Sequence, residues 1–129
     1  MIIADSSAWV DFIRRPEERL GPPVRELLEQ ERLAMVGMVL AELLTGLRRD
    51  PSGADNLILA VPFVQTDKDA WIRAGMIARD LERQGTPIPL GDVVIAATAM
   101  EGDHELLTRD KHFERIPGLK LYKWEDADA

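Results

Sequence analysis

A chain of 129 residues with 46% hydrophobic and 30% charged residues is typical of one soluble globular domain, here taken as residues 1–129. It has no cysteine and only two histidines, which excludes a disulfide framework, a thiolate zinc site and a histidine-rich metal cluster. No stretch approaches the roughly 18 apolar residues of a membrane span, and no signal peptide is recognisable. We therefore expect a cytoplasmic protein without a membrane partner.

The first apolar segment is followed by an acid and a change of periodicity. Residues 1–4 are apolar and stop at Asp5, and the apolar positions then take helical spacing from Ala8 onward. This pattern predicts a strand, a turn and a helix, with Asp5 at the carboxyl end of the strand, where open α/β sheets bind ligands. The alternative is that Asp5, Ser6 or Ser7 only caps the helix.

Helix and strand patterns alternate along the remaining chain. In order, the predicted elements are a helix over 24–31, a buried strand over 33–38, a helix over 39–49, a turn over 50–53, a short helical piece over 56–60, a strand over 63–66, a helix from a cap at 66 or 67 to about 84, a helix over 92–100, a strand over 105–108, a short helix over 110–113 and a strand over 119–122. We expect 125–128 to fray. The alternation predicts an α/β fold with three layers, α/β/α, around a parallel sheet.

Three of these helices have distinctive faces. Leu40, Leu43, Leu44 and Leu47 form a stripe that should face the core. On the long helix, we expect one side to face inward, the side that carries Trp71, Ala74, Gly75, Ala78 and Leu81. The 92–100 segment is apolar on every side, which predicts a helix buried all round.

Four acids lie at element boundaries or among apolar residues: Asp5, Glu42, Asp92 and Asp110. Each has a structural explanation, because Asp92 and Asp110 suit helix N-termini and Glu42 lies opposite the leucine stripe of its helix. The carboxyl ends of parallel strands nevertheless open on one side of a sheet, so Asp5, Asp92 and Asp110 could converge there. Converging carboxylates repel unless a cation holds them ionised, and a site made of oxygen ligands indicates Mg²⁺ or Mn²⁺.

The formal charge of −7 argues against a nucleic-acid partner. Acids that surround a divalent cation are neutralised by it, however, and without the four acids above the charge would be about −3. Basic residues also cluster, either as nucleic-acid contacts or as solvated helix faces. The clusters are Arg14, Arg15 and Arg19, then Arg48 and Arg49, then Arg109, Lys111 and Arg115.

Four segments together resemble, in order and spacing, the motifs of the PIN-domain ribonucleases. They are Ile2-Ile3-Ala4-Asp5-Ser6-Ser7-Ala8, Glu42 early in the helix after the second strand, Asp92-Val93-Val94-Ile95-Ala96-Ala97-Thr98-Ala99, and Leu107-Thr108-Arg109-Asp110-Lys111-His112-Phe113. Within that group the chain most resembles the VapC toxins of bacterial and archaeal toxin–antitoxin pairs. The resemblance implies a sheet of about five parallel strands and a site for Mg²⁺ or Mn²⁺. It also implies endonucleolytic cleavage of an RNA substrate by a metal-activated water. The implied partners are a small VapB-like antitoxin that masks the acidic pocket and a second copy of the chain in a homodimer.

The same resemblance implies roles for the four acids. Asp5 and Asp92 would be the principal metal ligands, and Asp110 would complete the acidic cluster. Glu42 would bind the metal or orient the attacking water.

Supporting roles follow for the hydroxyl residues. Thr108 would donate a hydrogen bond within the cluster, and Ser6 or Ser7 would position Asp5. His112 stands where many relatives have an acid, and we expect this difference to have no consequence for the chemistry.

Other acidic α/β proteins fit the sequence less well. A receiver-type signalling domain, phosphorylated on an aspartate, would need paired acids after the first strand, and Asp5 is followed by serines. A phosphatase of the haloacid dehalogenase type would need a second aspartate where Ser7 stands. A catalytically degenerate PIN-like binding module is the alternative without enzyme activity, although all four acids are present.

Overall fold

The structure, a computed structural model, describes residues 1–46 and 53–124. Its elements are β1 (Ile2–Ala4), α1 (Ser6–Arg14), α2 (Gly21–Glu29), β2 (Leu33–Val36), α3 (Gly37–Gly46), α4 (Ala54–Ala60), β3 (Phe63–Val64), α5 (Lys68–Arg83), α6 (Leu90–Glu101), β4 (Glu105–Leu107) and a 3₁₀ helix (Lys111–Arg115). The predicted end of the third helix beyond residue 46, most of the 50–53 turn, and the 125–128 tail lie outside the described residues.

The strands form one parallel sheet in the order β3-β2-β1-β4. Every residue of β1 and β2 is buried, as expected for parallel strands that are covered by helices on both faces. The predicted α/β fold class is confirmed, with four strands in the part of the chain that the structure describes. In place of a fifth strand over 119–122, Leu121 alone makes a parallel bridge to Leu106.

Two helices begin earlier than their apolar patterns suggested. Helix α2 begins at Gly21, because Pro22 and Pro23 lie in its first turn, where a backbone N–H has no partner within the helix. Helix α6 begins at Leu90 after Pro89, so Asp92 lies inside the first turn instead of opening the helix. Residues 93–99 of α6 are all buried, as predicted.

The inward faces of α5 and α3 are only partly as predicted. On α5, Ala74 and Leu81 are buried as predicted, whereas Trp71 is 53% exposed and Ala70 is buried in addition. Helix α5 packs on α6 through a cluster in which Ala74 lies with Val93, Val94 and Ala97. The small alanines allow the two helices to approach closely, a position that the indole of Trp71 could not occupy.

On α3 the leucine stripe is only partly correct. Leu43 is buried and Leu44 is 39% exposed, while Leu47 lies outside the described residues. Among the helices of residues 1–46 and 53–124, none has the length and apolar character needed to cross a membrane.

Candidate acidic site at the carboxyl edge of the sheet

Asp5 lies at the centre of the carboxyl edge, because β1 runs between β2 and β4. Ala4 pairs with Leu107, so the register places the next residues of the two strands, Asp5 and Thr108, side by side. Asp5 is 3% exposed. Its Oδ1 accepts hydrogen bonds from Ser7 Oγ at 2.6 Å and from the Ala8 backbone N–H at 3.0 Å, and its Oδ2 accepts one from Thr108 Oγ1 at 2.5 Å.

Asp5 therefore caps α1, as the structural alternative proposed, and also projects its second oxygen toward β4. Burial raises the pKa of Asp5 above its ordinary value. The hydrogen bonds from Ser7, Thr108 and Ala8 oppose that rise, and the negative charge of Asp110 adds to it. The neutral donors do not replace a counter-charge, so ionised Asp5 is unfavourable in this environment.

Asp92 occupies the first turn of α6 and contacts a residue to which the sequence gave no role. Its Oδ2 lies 2.9 Å from Nε2 of His112, and the two side chains are 20% and 25% exposed. His112 is held there because the next residue, Phe113, is buried in the core and packs its ring 4.8 Å from the imidazole, centroid to centroid. The His112 side chain therefore reaches Asp92, while the expectation that His112 has no consequence for the chemistry stays a prediction.

Burial also raises the pKa of Asp92, followed in the same direction by the charge of Asp110. The charge and hydrogen bond of His112 lower that pKa and so oppose the rise. Asp110 thus acts electrostatically on both Asp5 and Asp92. The charge of Asp110 therefore reaches both of the other carboxylates that the sequence analysis grouped with it.

Thr108 connects two of these acids. Its Oγ1 donates to Asp5 and accepts a hydrogen bond from the Asp110 backbone N–H at 3.0 Å. Asp110 precedes the 3₁₀ helix, and within the described residues its carboxylate makes no capping hydrogen bond to that helix. The Asp110 side chain is exposed and available to the site.

Glu42 reaches the same edge from α3. Ser6 Oγ donates a hydrogen bond to Glu42 Oε1 at 2.8 Å, so Glu42 is tied to the first residue of α1, directly after Asp5. The two serines have different partners: Ser6 holds Glu42 and Ser7 holds Asp5.

The donor set fits a hard divalent cation in its chemistry. It consists of carboxylate oxygens, and the pKa values of Asp5 and Asp92 are raised by burial and by the charge of Asp110, a situation that a bound cation would relieve. The acids do not form a ready-made coordination set: within 1–46 and 53–124 no three acidic or histidine side chains are already placed to hold one ion.

The sequence analysis missed a second buried acid, Asp11 on α1. Asp11 is 1% exposed, its Oδ2 lies 3.3 Å from Nε of Arg109, and the same oxygen accepts from the Leu20 N–H at 3.4 Å. Arg109 precedes Asp110, so this contact fixes the loop after β4 against α1. The signal in the sequence was an acid between Val10 and Phe12, inside an apolar stretch.

Comparisons with known proteins agree with this geometry. The family model of the PIN domain matches residues 2–119. The chain is 31% identical to the ribonuclease VapC11 of Mycobacterium tuberculosis over 122 residues, covering 90% of this chain and 91% of that protein. It is 30% identical to the tRNA(fMet)-specific endonuclease VapC of Salmonella typhimurium over 127 residues, covering 93% and 95%.

A solved structure is also similar. The DNA-bound VapBC of Salmonella typhimurium superposes with a TM-score of 0.79 and 27% identity, covering 95% of this chain and 97% of that one. Because the family match spans the sheet, the helices and all four acids, the chain belongs to the PIN domain family and, within it, to the VapC group.

Proposed function

We propose that this protein is a Mg²⁺- or Mn²⁺-dependent endoribonuclease that acts as the toxin of a VapBC-type toxin–antitoxin pair in the cytoplasm. The observation that carries the proposal is the grouping of Asp5, Asp92 and Asp110 at one edge of the sheet, with the pKa values of Asp5 and Asp92 raised. Of two relatives of similar length, the one at 31% identity is named a ribonuclease and the one at 30% identity a tRNA(fMet)-specific endonuclease. A receiver domain or a haloacid dehalogenase phosphatase has no comparable support.

Asp5, Asp92 and Asp110 would hold the cation, since the charge of Asp110 acts on the carboxylates of both Asp5 and Asp92. When bound, Mg²⁺ or Mn²⁺ supplies positive charge beside the phosphoryl oxygens and lowers the pKa of a coordinated water. Ser7, Thr108 and the N-terminus of α1 fix Asp5 without neutralising it.

Glu42 has a different assignment. It is exposed, and its Oε1 accepts from Ser6, which leaves Oε2 to orient the water that attacks the phosphodiester in line and to accept its proton. A phosphodiester is negatively charged and would be repelled by the acidic site, so a cation is required between the phosphate and the carboxylates. An uncharged group of the RNA would not require this cation.

The proposed partners are an RNA substrate, a VapB-like antitoxin and a second copy of the chain. Similar solved structures are VapBC complexes, which supports a protein partner. An exposed apolar surface on β3 and α5 supports it as well, since four large side chains there are at least half exposed: Phe63, Trp71, Ile72 and Met76.

The test is cleavage of RNA by the purified full-length chain. Asp5→Asn and Asp92→Asn should each abolish Mg²⁺-dependent cleavage while the circular dichroism spectrum stays unchanged. Asp80→Asn, an exposed acid on α5, is the matched control and should cleave like the parent. Mg²⁺-dependent cleavage that survives in both site variants would contradict the proposal.

Calorimetric titration with Mn²⁺ separates an enzyme from a degenerate binding module. The parent and Asp80→Asn should both release or absorb heat that saturates with Mn²⁺, and Asp5→Asn should not. A parent chain that binds no Mn²⁺ and cleaves no RNA would favour the binding module.

A further inference from the structure

A pocket of about 370 Å³ opens directly beside the acidic cluster, on the outer side of β4. This volume lies in the range of sites that hold small organic groups. Thr108 and Asp110 belong both to the acidic cluster and to the wall of the pocket. The rest of the wall includes four side chains of interest: Arg109, Lys111, Lys123 and Trp124.

If Asp110, which belongs to the acidic cluster, is set aside, the wall of the pocket carries more positively than negatively charged side chains. Its cations are Arg109, Lys111 and Lys123, and Glu114 is the other carboxylate. Arg109 is held by Asp11, with 3.3 Å between Nε and Oδ2. Lys111 and Lys123 are exposed, and neither pairs with an acid among residues 1–46 and 53–124. In a chain of charge −7, these two lysines can attract phosphates locally.

Two aromatic rings also line the pocket, Tyr122 and Trp124. The guanidinium of Arg32 lies over the Tyr122 ring, 5.7 Å from its centroid, so one face of that ring is already covered. Trp124 is partly exposed. Its indole is therefore the better platform for a flat ligand, and nucleobases stack on such rings whatever their sequence.

We propose that this pocket binds the nucleotide next to the scissile phosphate of a single-stranded RNA, with its base stacked on Trp124 and its phosphates contacted by Lys111 and Lys123. The inference rests on the proposed ribonuclease function, because the shared residues Thr108 and Asp110 make the pocket continuous with the acids. The base must be unpaired, since a base within a duplex is stacked on both faces and cannot reach the indole. An acidic peptide could contact the lysines, but it would not need a pocket continuous with the acids.

Binding is tested in the full-length chain carrying Asp92→Asn, which the proposed function predicts to be inactive, with a short fluorescein-labelled RNA of mixed sequence as the probe. Fluorescence anisotropy gives Kd for the single strand and for its duplex at several salt concentrations. Trp124→Ala should raise Kd for the single strand about 5- to 160-fold, with the salt dependence unchanged. Trp124→Phe should retain most of the affinity.

The lysine variants should act differently. Lys111→Ala and Lys123→Ala should each reduce the slope of log K against log salt by about 0.7. The matched controls are Leu59→Ala on α4 and Lys68→Ala on α5, both exposed and outside the pocket, and they should bind the single strand like the parent. None of the pocket variants should change the affinity for the duplex.

Tryptophan fluorescence gives a signature that a structural role would not produce. In a Trp71→Phe background the remaining indoles are Trp9, which is fully buried, and Trp124. Single-stranded RNA should quench the emission, and the quenching should disappear when Trp124→Phe is added.

Three results would overturn this assignment. Pocket variants could bind the single strand like the two controls, they could lose duplex affinity equally, or they could lose only affinity for the antitoxin, which would make the pocket a protein-docking surface. The two proposals fail separately. If the chain with native Asp92 cleaves RNA and the pocket variants bind RNA normally, the ribonuclease proposal stands and the nucleotide-binding proposal fails. If the chain never cleaves RNA but binds it through Trp124, the nucleotide-binding proposal stands and the ribonuclease proposal fails.

Discussion

Two aspartates near α1 are almost equally buried and have opposite kinds of partner. Asp5 is 3% exposed and accepts hydrogen bonds from neutral donors only, two hydroxyls and one backbone N–H. Asp11 is 1% exposed and faces two cations, with 3.3 Å from Oδ2 to Arg109 Nε and 4.0 Å from Oδ1 to Arg15 Nη1. Asp5, which has no counter-charge, and Asp11, which has two, are only six positions apart in the sequence.

This difference distinguishes a functional acid from a structural one. A carboxylate is costly to bury, and the chain itself compensates Asp11 by charge. For Asp5 the charge that acts on its pKa is that of another acid, Asp110, so the compensation has to come from outside the chain. The two environments also cooperate, because Arg109, the partner of Asp11, positions the loop that carries Asp110.

The largest expected effect is the loss of stability on replacing the structural acid. Asp11→Asn keeps an oxygen for the Leu20 N–H but removes the charge opposite Arg109. Breaking a fully buried pair costs about 3–5 kcal/mol, and we expect about 2–3 kcal/mol here because the Arg109 side chain is 35% exposed. Urea unfolding measures this change in the free energy of unfolding.

A double-mutant cycle shows whether the loss belongs to the pair. Arg109→Ala alone and together with Asp11→Asn should give single losses that do not add, because the two side chains are in contact. Additive losses would mean that Asp11 acts through Leu20 or Arg15, and the contrast with Asp5 would weaken.

The matching change at the functional acid should act in the opposite direction. Asp5 has a folded pKa above its ordinary value of 3.8, so it binds its proton more tightly in the folded chain. The stability gained from protonated Asp5 is complete below 3.8 and is lost as the pH rises through the raised folded pKa. Without divalent ions at neutral pH, Asp5→Asn should therefore raise Tm by a few degrees.

Scanning fluorimetry in the presence of a chelator tests this prediction from acidic to neutral pH. The gain in Tm of Asp5→Asn over the parent should grow with pH and should shrink when Mn²⁺ is added, because the ion stabilises only the parent. Asp92 also has a raised pKa and keeps titrating in both proteins, so the difference between them isolates Asp5. A lower Tm for Asp5→Asn at neutral pH would place Asp5 in the same class as Asp11.

The sequence predicted the parts of this site that depend on the ends of strands. Asp5 and Thr108 follow paired strands in register, so their meeting follows from parallel topology alone. The contact between Asp92 and His112 depends on the burial of Phe113, which turns the 3₁₀ helix, and no periodic pattern encodes that turn. Arg109 and Asp11 are 98 positions apart and meet only through the packing of α1 beside the loop after β4.

The error on α5 has a related cause. The apolar residues of this helix, including Trp71 and Met76, extend over more than one face, so the hydrophobic pattern wrongly included Trp71 in the buried face. The deciding factor was the partner surface, since α6 presents small and β-branched residues at the contact and favours Ala74 over a large ring. Side-chain volume in the partner helix is information that a single helix does not carry.

The smallest expected effect concerns His112, whose Nε2 lies 2.9 Å from Asp92 Oδ2. A partner that orients a metal-ligating carboxylate typically contributes a factor of about 10–100 in metal affinity or activity, so His112→Ala should lower kcat/KM by about tenfold and weaken Mn²⁺ binding. His112→Asn retains a donor and should recover part of the activity. His104→Ala is the matched control, because His104 precedes β4 at the opposite, amino edge of the sheet and should not affect cleavage. Full activity in His112→Ala would mean that the contact with His112 does not position Asp92 for the reaction.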